Sequence, residues 1–233
     1  MFTFSKHLAR ISCTAGALNL GCFNVEQVDP LARETQSIQV DDFEDGDTLP
    51  MSELFAPWTC DKFDSVQKPP KCSIVSGFEG GLGFSLTFEL QVPPGYNPDD
   101  IGVSYGVPTG TEHGLDATSL SRVGFDMKWD TDSSELNSSG VVTVHLPCTL
   151  LQTSPAAPAQ GFSVEHEVAP SHEWSHYTLA FDDFTQPHWS TARIDKRRCL
   201  PVLDGVFFIL KASWLAGGQL ATGTMTIDNV YLE

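Results

Sequence analysis

Phe84-Ser85-Leu86-Thr87-Phe88-Glu89-Leu90 places a large apolar residue at every second position, with polar ones between. Side chains on a β-strand alternate between its two faces, so this run makes a strand with one face in a core and the other outside. Val123-Gly124-Phe125-Asp126-Met127-Lys128-Trp129 and Val142-Thr143-Val144-His145-Leu146 repeat the pattern. Trp174 to Phe181 and Met225 to Leu232 supply two more strands. Val206 to Leu210 is apolar throughout, as in a strand buried on both faces. Gly, Pro, Asp and Ser clusters separate the runs, and no segment carries apolar residues at helical spacing. Many short strands between turn signals predict an all-β jelly-roll sandwich of two antiparallel sheets.

The sandwich is expected over residues 38–233. Before it, Phe23 to Ser37 is polar and without period, as in a linker. Residues 1–22 resemble an export leader, with Lys6 and Arg10 ahead of a short apolar run from Ile11 to Leu20, too short to span a membrane. Leu18-Asn19-Leu20-Gly21-Cys22 resembles a lipoprotein cleavage box, although Asn19 stands where that box usually has Leu. An ordinary signal peptide or a misplaced start are the alternatives. The expected location is therefore outside the cytoplasm: a bacterial surface or periplasm, with membrane anchoring through a lipidated Cys22, or free secretion.

Net charge is -17 over 233 residues, from 13 basic and 30 acidic side chains. That excess works against nucleic acid, whose binding depends on Lys and Arg at phosphates, and against an anionic membrane surface. It suits a neutral ligand or a cation held by carboxylates. Four cysteines remain beyond the leader: Cys60, Cys72, Cys148 and Cys199. An even count in an exported chain predicts two disulfides. Three pairings are open, and local spacing favours Cys60–Cys72 with Cys148–Cys199. No Cys-x-x-Cys spacing supports a zinc site.

Several stretches together resemble one family. Asp41-Asp42-Phe43-Glu44-Asp45-Gly46, placed at the opening of the first strand and followed by Trp58, resembles the start of family 11 carbohydrate-binding modules and of the complex I intermediate-associated protein domain. Leu115-Asp116-Ala117-Thr118 before Val123, Trp174, the stretch Leu179 to Gln186, Trp189 and Thr226 to Leu232 follow in the same order. The four cysteines and the Pro155 to Pro158 loop depart from that pattern. The resemblance implies a galactose-binding-like jelly roll whose first and last strands lie side by side, with a structural Ca²⁺ at their edge. Glu44 and Asp228 match that position, with Asp42 assisting; the alternative is that they are solvated strand-end acids.

The resemblance also implies a non-catalytic module for a β-glucan-like polysaccharide, expected to act as a monomer. Such sites stack aromatic rings on sugar faces and place polar groups at hydroxyls. Alternation puts Asp126, Lys128, Thr143, His145 and Lys211 away from the core, and Tyr96, Tyr105 and Trp214 supply rings near strand ends. Trp129 is a further candidate ring, although alternation puts it on the core face with Phe125 and Met127; Trp58 and Trp174 read best as packing. The alternative is a cell-surface structural or interaction domain that keeps the fold without binding sugar.

Catalytic signals are weak. His172-Glu173-Trp174-Ser175-His176 fits a zinc-protease spacing, but that chemistry needs a helix. On a strand the two His lie ~13 Å apart at ~3.3 Å per residue. Glu165 and Glu167 share a strand face at ~6.6 Å, within the range of glycosidase carboxylates, yet they read best as a solvated edge. No nucleophile elbow, phosphate loop or dinucleotide fingerprint is present. The chain is expected not to be an enzyme.

Overall fold

The computed structural model describes residues 37–233 except 63–67, 132–139, 149–161, 189, 191–194, 214 and 216–218. The leader, Cys22, nearly all of the linker, the Pro155 loop, Trp189 and Trp214 lie outside the described residues.

Among the described residues eleven strands appear in chain order: β1 (Ile38–Asp41), β2 (Thr59–Lys62), β3 (Lys71–Ser76), β4 (Leu82–Gln91), β5 (Gly102–Pro108), β6 (Arg122–Thr131), β7 (Val142–Pro147), β8 (Ser163–Val168), β9 (Ser175–Ala180), β10 (Gly205–Lys211) and β11 (Leu220–Leu232). They form two antiparallel sheets. One runs β3-β4-β11-β6-β9, with β1 also on β11, and the other runs β2-β5-β10-β7-β8. The fold is the expected all-β jelly-roll sandwich.

The last strand ties the first sheet together. Its residues Leu220 to Ile227 pair with β4, and beyond the end of β4 its Val230 to Leu232 pair with β1. Its other edge pairs with β6, with a register shift between Asp228 and Tyr231 where Asn229 takes a φ of 50°. A left-handed conformation is one that Asn tolerates better than most residues.

The core joins both sheets through a chain of aromatic ring contacts. Trp58 lies 5.1 Å from Phe43, Phe43 5.8 Å from Phe84, and Phe84 5.9 Å from Tyr105. Tyr105 then meets Phe208 at 5.4 Å, Phe208 meets Phe125 at 4.9 Å, and Phe125 meets Tyr177 at 5.2 Å. Trp129 is buried with them, on the face the alternation assigned. The pairings Cys60–Cys72 and Cys148–Cys199 are both formed, with Cα separations of 6.4 and 5.3 Å. The first links β2 in one sheet to β3 in the other.

Two local expectations change. Asp42 to Gly46 follow the first strand rather than open it. They form a turn in which Phe43 has a φ of 58° and the Gly46 amide donates to the Phe43 carbonyl. The last strand begins at Leu220, five residues before the apolar pattern does.

Candidate functional site

Polar chemistry collects in three places: where the first and last strands meet, and on the outer face of each sheet.

At the end of the first strand, Asp41 is wholly buried. Its Oδ1 accepts the Phe43 amide at 2.8 Å and its Oδ2 accepts the Trp58 indole N–H at 2.7 Å. Burial pushes its carboxyl up to about 6 despite these two bonds. The left-handed turn at Phe43 drops that ring into the core, so the carboxylate beneath it is structural. Asp42 caps the Glu44 amide at 3.2 Å.

Glu44 and Asp228 reach the same turn from opposite ends of the sequence. Glu44 Oε1 accepts the Leu82 amide at 3.0 Å, and Asp228 Oδ2 accepts the Phe78 amide at 2.8 Å. The turn between them needs its glycines: a Cβ on Gly77 would lie 2.6 Å from Asp228 Oδ2, and one on Gly81 would collide with Glu44 Oε1. Asp228 is 1% exposed, and burial pushes its carboxyl up to about 6, with Glu44 and Asp126 adding like charge. Two carboxylates against one backbone turn suit a hard cation, which would relieve their repulsion and draw further oxygens from the turn. Among the described residues no three His, Cys, Asp or Glu side chains group closely enough to hold a metal, so Asp42 does not complete a three-acid cluster with them.

Asp126 pairs across the sheet with Asp228 on one side and His176 on the other. It is buried, with its Oδ1 2.9 Å from His176 Nδ1 and its Oδ2 accepting from Asn229 Nδ2 at 2.9 Å. His176 Nε2 lies 3.1 Å from Thr178 Oγ1 and 3.2 Å from the Tyr231 hydroxyl. Gly124 makes this possible, because a Cβ there would strike the Tyr231 ring. Asp126 is therefore committed to a network within the fold. Lys128, next on that face, pairs with Thr226. His172 and Glu173 lie in a bend and His176 on β9, so the zinc-protease spacing falls on no helix.

The outer face of the five-stranded sheet is different. Ser104, His145, Pro147, Phe207 and Ile209 line an open cavity of about 220 Å³. Phe207 faces Gly106 across the strand pair, and its ring lies over Gly106 and Gly205, where a Cβ would come within 2.6 and 2.7 Å of it. His145 and Glu165 are cross-strand partners, with Nδ1 3.9 Å from Oε2 and side chains 16% and 12% exposed. Among the described residues, His145 Nδ1 and Ser163 Oγ are buried without a hydrogen-bond partner, which is costly.

The expected ligand residues are thus divided. Asp126 and Lys128 lie on one outer face and His145 on the other. Tyr96 is 49% exposed in the loop between β4 and β5. Tyr105 is corrected outright: its ring is wholly buried between Phe84 and Phe208, because β5 alternates Val103, Tyr105 and Val107 inward. Phe207, Ser104 and Ser163 were missed. The signal for Phe207 was the apolar run of β10, whose outward members Phe207 and Ile209 made it look buried on both faces.

No protein-family model matches the sequence, and no curated protein matches it. Solved structures do match in fold. A family 11 carbohydrate-binding module from Clostridium thermocellum, in complex with a β-1,3-1,4-mixed-linked tetrasaccharide, is 15% identical with a TM-score of 0.50, covering 84% of this chain and 94% of that one. A solution structure of the module CtCBM11 is 15% identical with a TM-score of 0.50, covering 87% and 97%. At that identity the likeness is one of fold, and it is the fold that the sequence motifs resemble.

Proposed function

We propose that this chain, which shares its fold with family 11 carbohydrate-binding modules, is a non-catalytic binding module for a neutral polysaccharide of the β-glucan kind, working outside the cytoplasm. One observation carries the reading. The Phe207 ring is laid over two glycines on an outer sheet face, lining a cavity with Ser104 and His145, the cross-strand partner of Glu165. A ring held against the sheet offers its face to the C–H side of a pyranose, and the polar atoms around it can take the hydroxyls. A net charge of -17 disfavours acidic glycans.

The geometry supports binding without hydrolysis. Glu165 and Glu167 follow one another along the edge strand β8. Hydrolytic carboxylates must flank a glycosidic bond from either side, whereas these two stand side by side. Two disulfides support an oxidising location. Calcium at Glu44 and Asp228 belongs to the same reading, as a staple between the first turn and the last strand.

Affinity gel electrophoresis through mixed-linked β-glucan, xylan and mannan tests it. The full chain is expected to be retarded by β-glucan, and Phe207→Ala to be retarded less, with an unchanged melting temperature. If no gel retards the chain, the reading fails and a surface interaction domain takes its place.

A further inference from the structure

The outer face of the six-stranded sheet carries a second feature that the Phe207 site does not explain. Thr224 pairs with Asp130 and Thr226 with Lys128 on successive rungs of β11 and β6. With Ser76 and Trp174 these side chains line an open cavity of about 140 Å³. The floor is hydroxyl-bearing: Thr226 Oγ1 donates to Ser85 Oγ at 3.2 Å, leaving further hydrogen-bonding capacity on both oxygens. Charge is balanced by one Lys and one Asp, and Lys128 makes no ion pair among the described residues.

Trp174 forms one wall, and its position is built. It leads directly into β9, and the Ser171 carbonyl before it accepts the Trp129 amide at 2.9 Å. The indole packs edge-on against Phe78, with ring centres 5.9 Å apart at 65°. Phe78 is in turn fixed by the Asp228 carboxylate on its amide. A half-buried indole beside a floor of hydroxyls, an ammonium and a carboxylate can stack one sugar ring and bond its hydroxyls. The cavity is smaller than the ~300–1,000 Å³ clefts that engulf a ligand, so it suits one ring of a longer chain passing over the surface.

We propose that this groove is a second saccharide site, taking a single neutral pyranose unit against Trp174, on the opposite side of the sandwich from the Phe207 site. It rests on the reading that the chain binds glycans, and it makes the module bivalent. One molecule can then engage two polysaccharide chains, which raises avidity on an insoluble array without any tightening of either site.

The test is a titration of the ¹⁵N-labelled full chain with the β-1,3-1,4-linked glucan tetrasaccharide, xylohexaose and mannohexaose in turn. The Trp174 indole resonance is assigned by its loss in Trp174→Phe. With at least one sugar, the Trp174 resonance is expected to move in the wild type and also in Phe207→Ala, where the first site is disabled. Lys128→Ala, which spares the packing of Trp174, is expected to weaken that response roughly fivefold or more. Shifts confined to residues around His145 and Phe207 overturn the second site and leave the first standing. Shifts confined to the Trp174 groove uphold the second site and overturn the first. If no sugar moves either set, both fail.

Discussion

Asp41 shows what one residue does in this fold that its sequence context does not announce. It sits in an acidic run that reads as solvated, yet its carboxylate is buried and holds both the Phe43 amide and the Trp58 indole. The partnership between positions 41 and 58 depends on the left-handed turn at Phe43, which no periodicity signals. Trp58→Phe removes the indole donor and leaves Oδ2 buried without a partner. An unsatisfied buried acceptor costs about 1–3 kcal/mol, so Trp58→Phe is expected to lower stability by that amount in urea unfolding. Asp41→Asn in the Trp58→Phe background is expected to restore part of the loss, because the amide carries no charge to desolvate. If Trp58→Phe unfolds at the wild-type midpoint, the bond is not contributing to stability. Asp126 and His176 make a similar point: each was visible as an outward-facing strand residue, but their pairing required the register of β6 and β9.

At the scale of elements, strands with a clean period of two were legible and the others were not. β4, β6 and β7 stand where alternation puts them. β11 was read five residues short because Ala221 and Gly223 sit at its inward positions. At Gly223 the space for a side chain is filled by the Phe88 ring, so the apolar signal belongs to the neighbouring strand. β2 and β3 are short, polar and near a sheet edge. Their strand character comes from pairing and from the bond between Cys60 and Cys72. That bond spans 12 residues, and Cys148–Cys199 spans 51. Chain entropy gives about 3 kcal/mol for a loop near the first length and about 4 kcal/mol for the second. Removing Cys148–Cys199 with paired Ala substitutions is therefore expected to cost more than removing Cys60–Cys72. The shorter bond should have the greater effect on sheet-to-sheet opening, because it joins β2 to β3 across the sandwich. Hydrogen exchange checks this: amides of β2 and β3 should lose protection selectively when it is removed. Uniform loss across both sheets would show that the bond acts on the unfolded chain alone.

For the whole molecule, the two buried carboxylates and the chain's charge make stability depend on pH in a definite direction. Asp41 and Asp228 are pushed up to about 6 in the folded state, against roughly 3.9 for an Asp in an unfolded chain. Between those values the folded state holds more protons than the unfolded one. Their contribution is thus fully present below about pH 4, declines as pH rises through about 6, and is flat above about 7. Each is worth on the order of 2 kcal/mol. The net charge of -17 adds self-repulsion in the same direction. In chelator the melting temperature is accordingly expected to be higher at pH 5 than at pH 7.5, and Asp41→Asn should flatten the difference. Calcium acts only on the other carboxylate. A cation against Glu44 and Asp228 favours their charged forms and offsets the repulsion between them, so it stabilises at pH 7.5 and loses its grip as pH falls below about 6. Millimolar Ca²⁺ should therefore raise the melting temperature at pH 7.5, have little effect at pH 5, and have none at either pH in Asp228→Ala. Superimposable melts with calcium and with chelator at pH 7.5 would remove the staple from the account. A melting temperature that rises from pH 5 to 7.5 in chelator would show that other groups outweigh these two carboxylates.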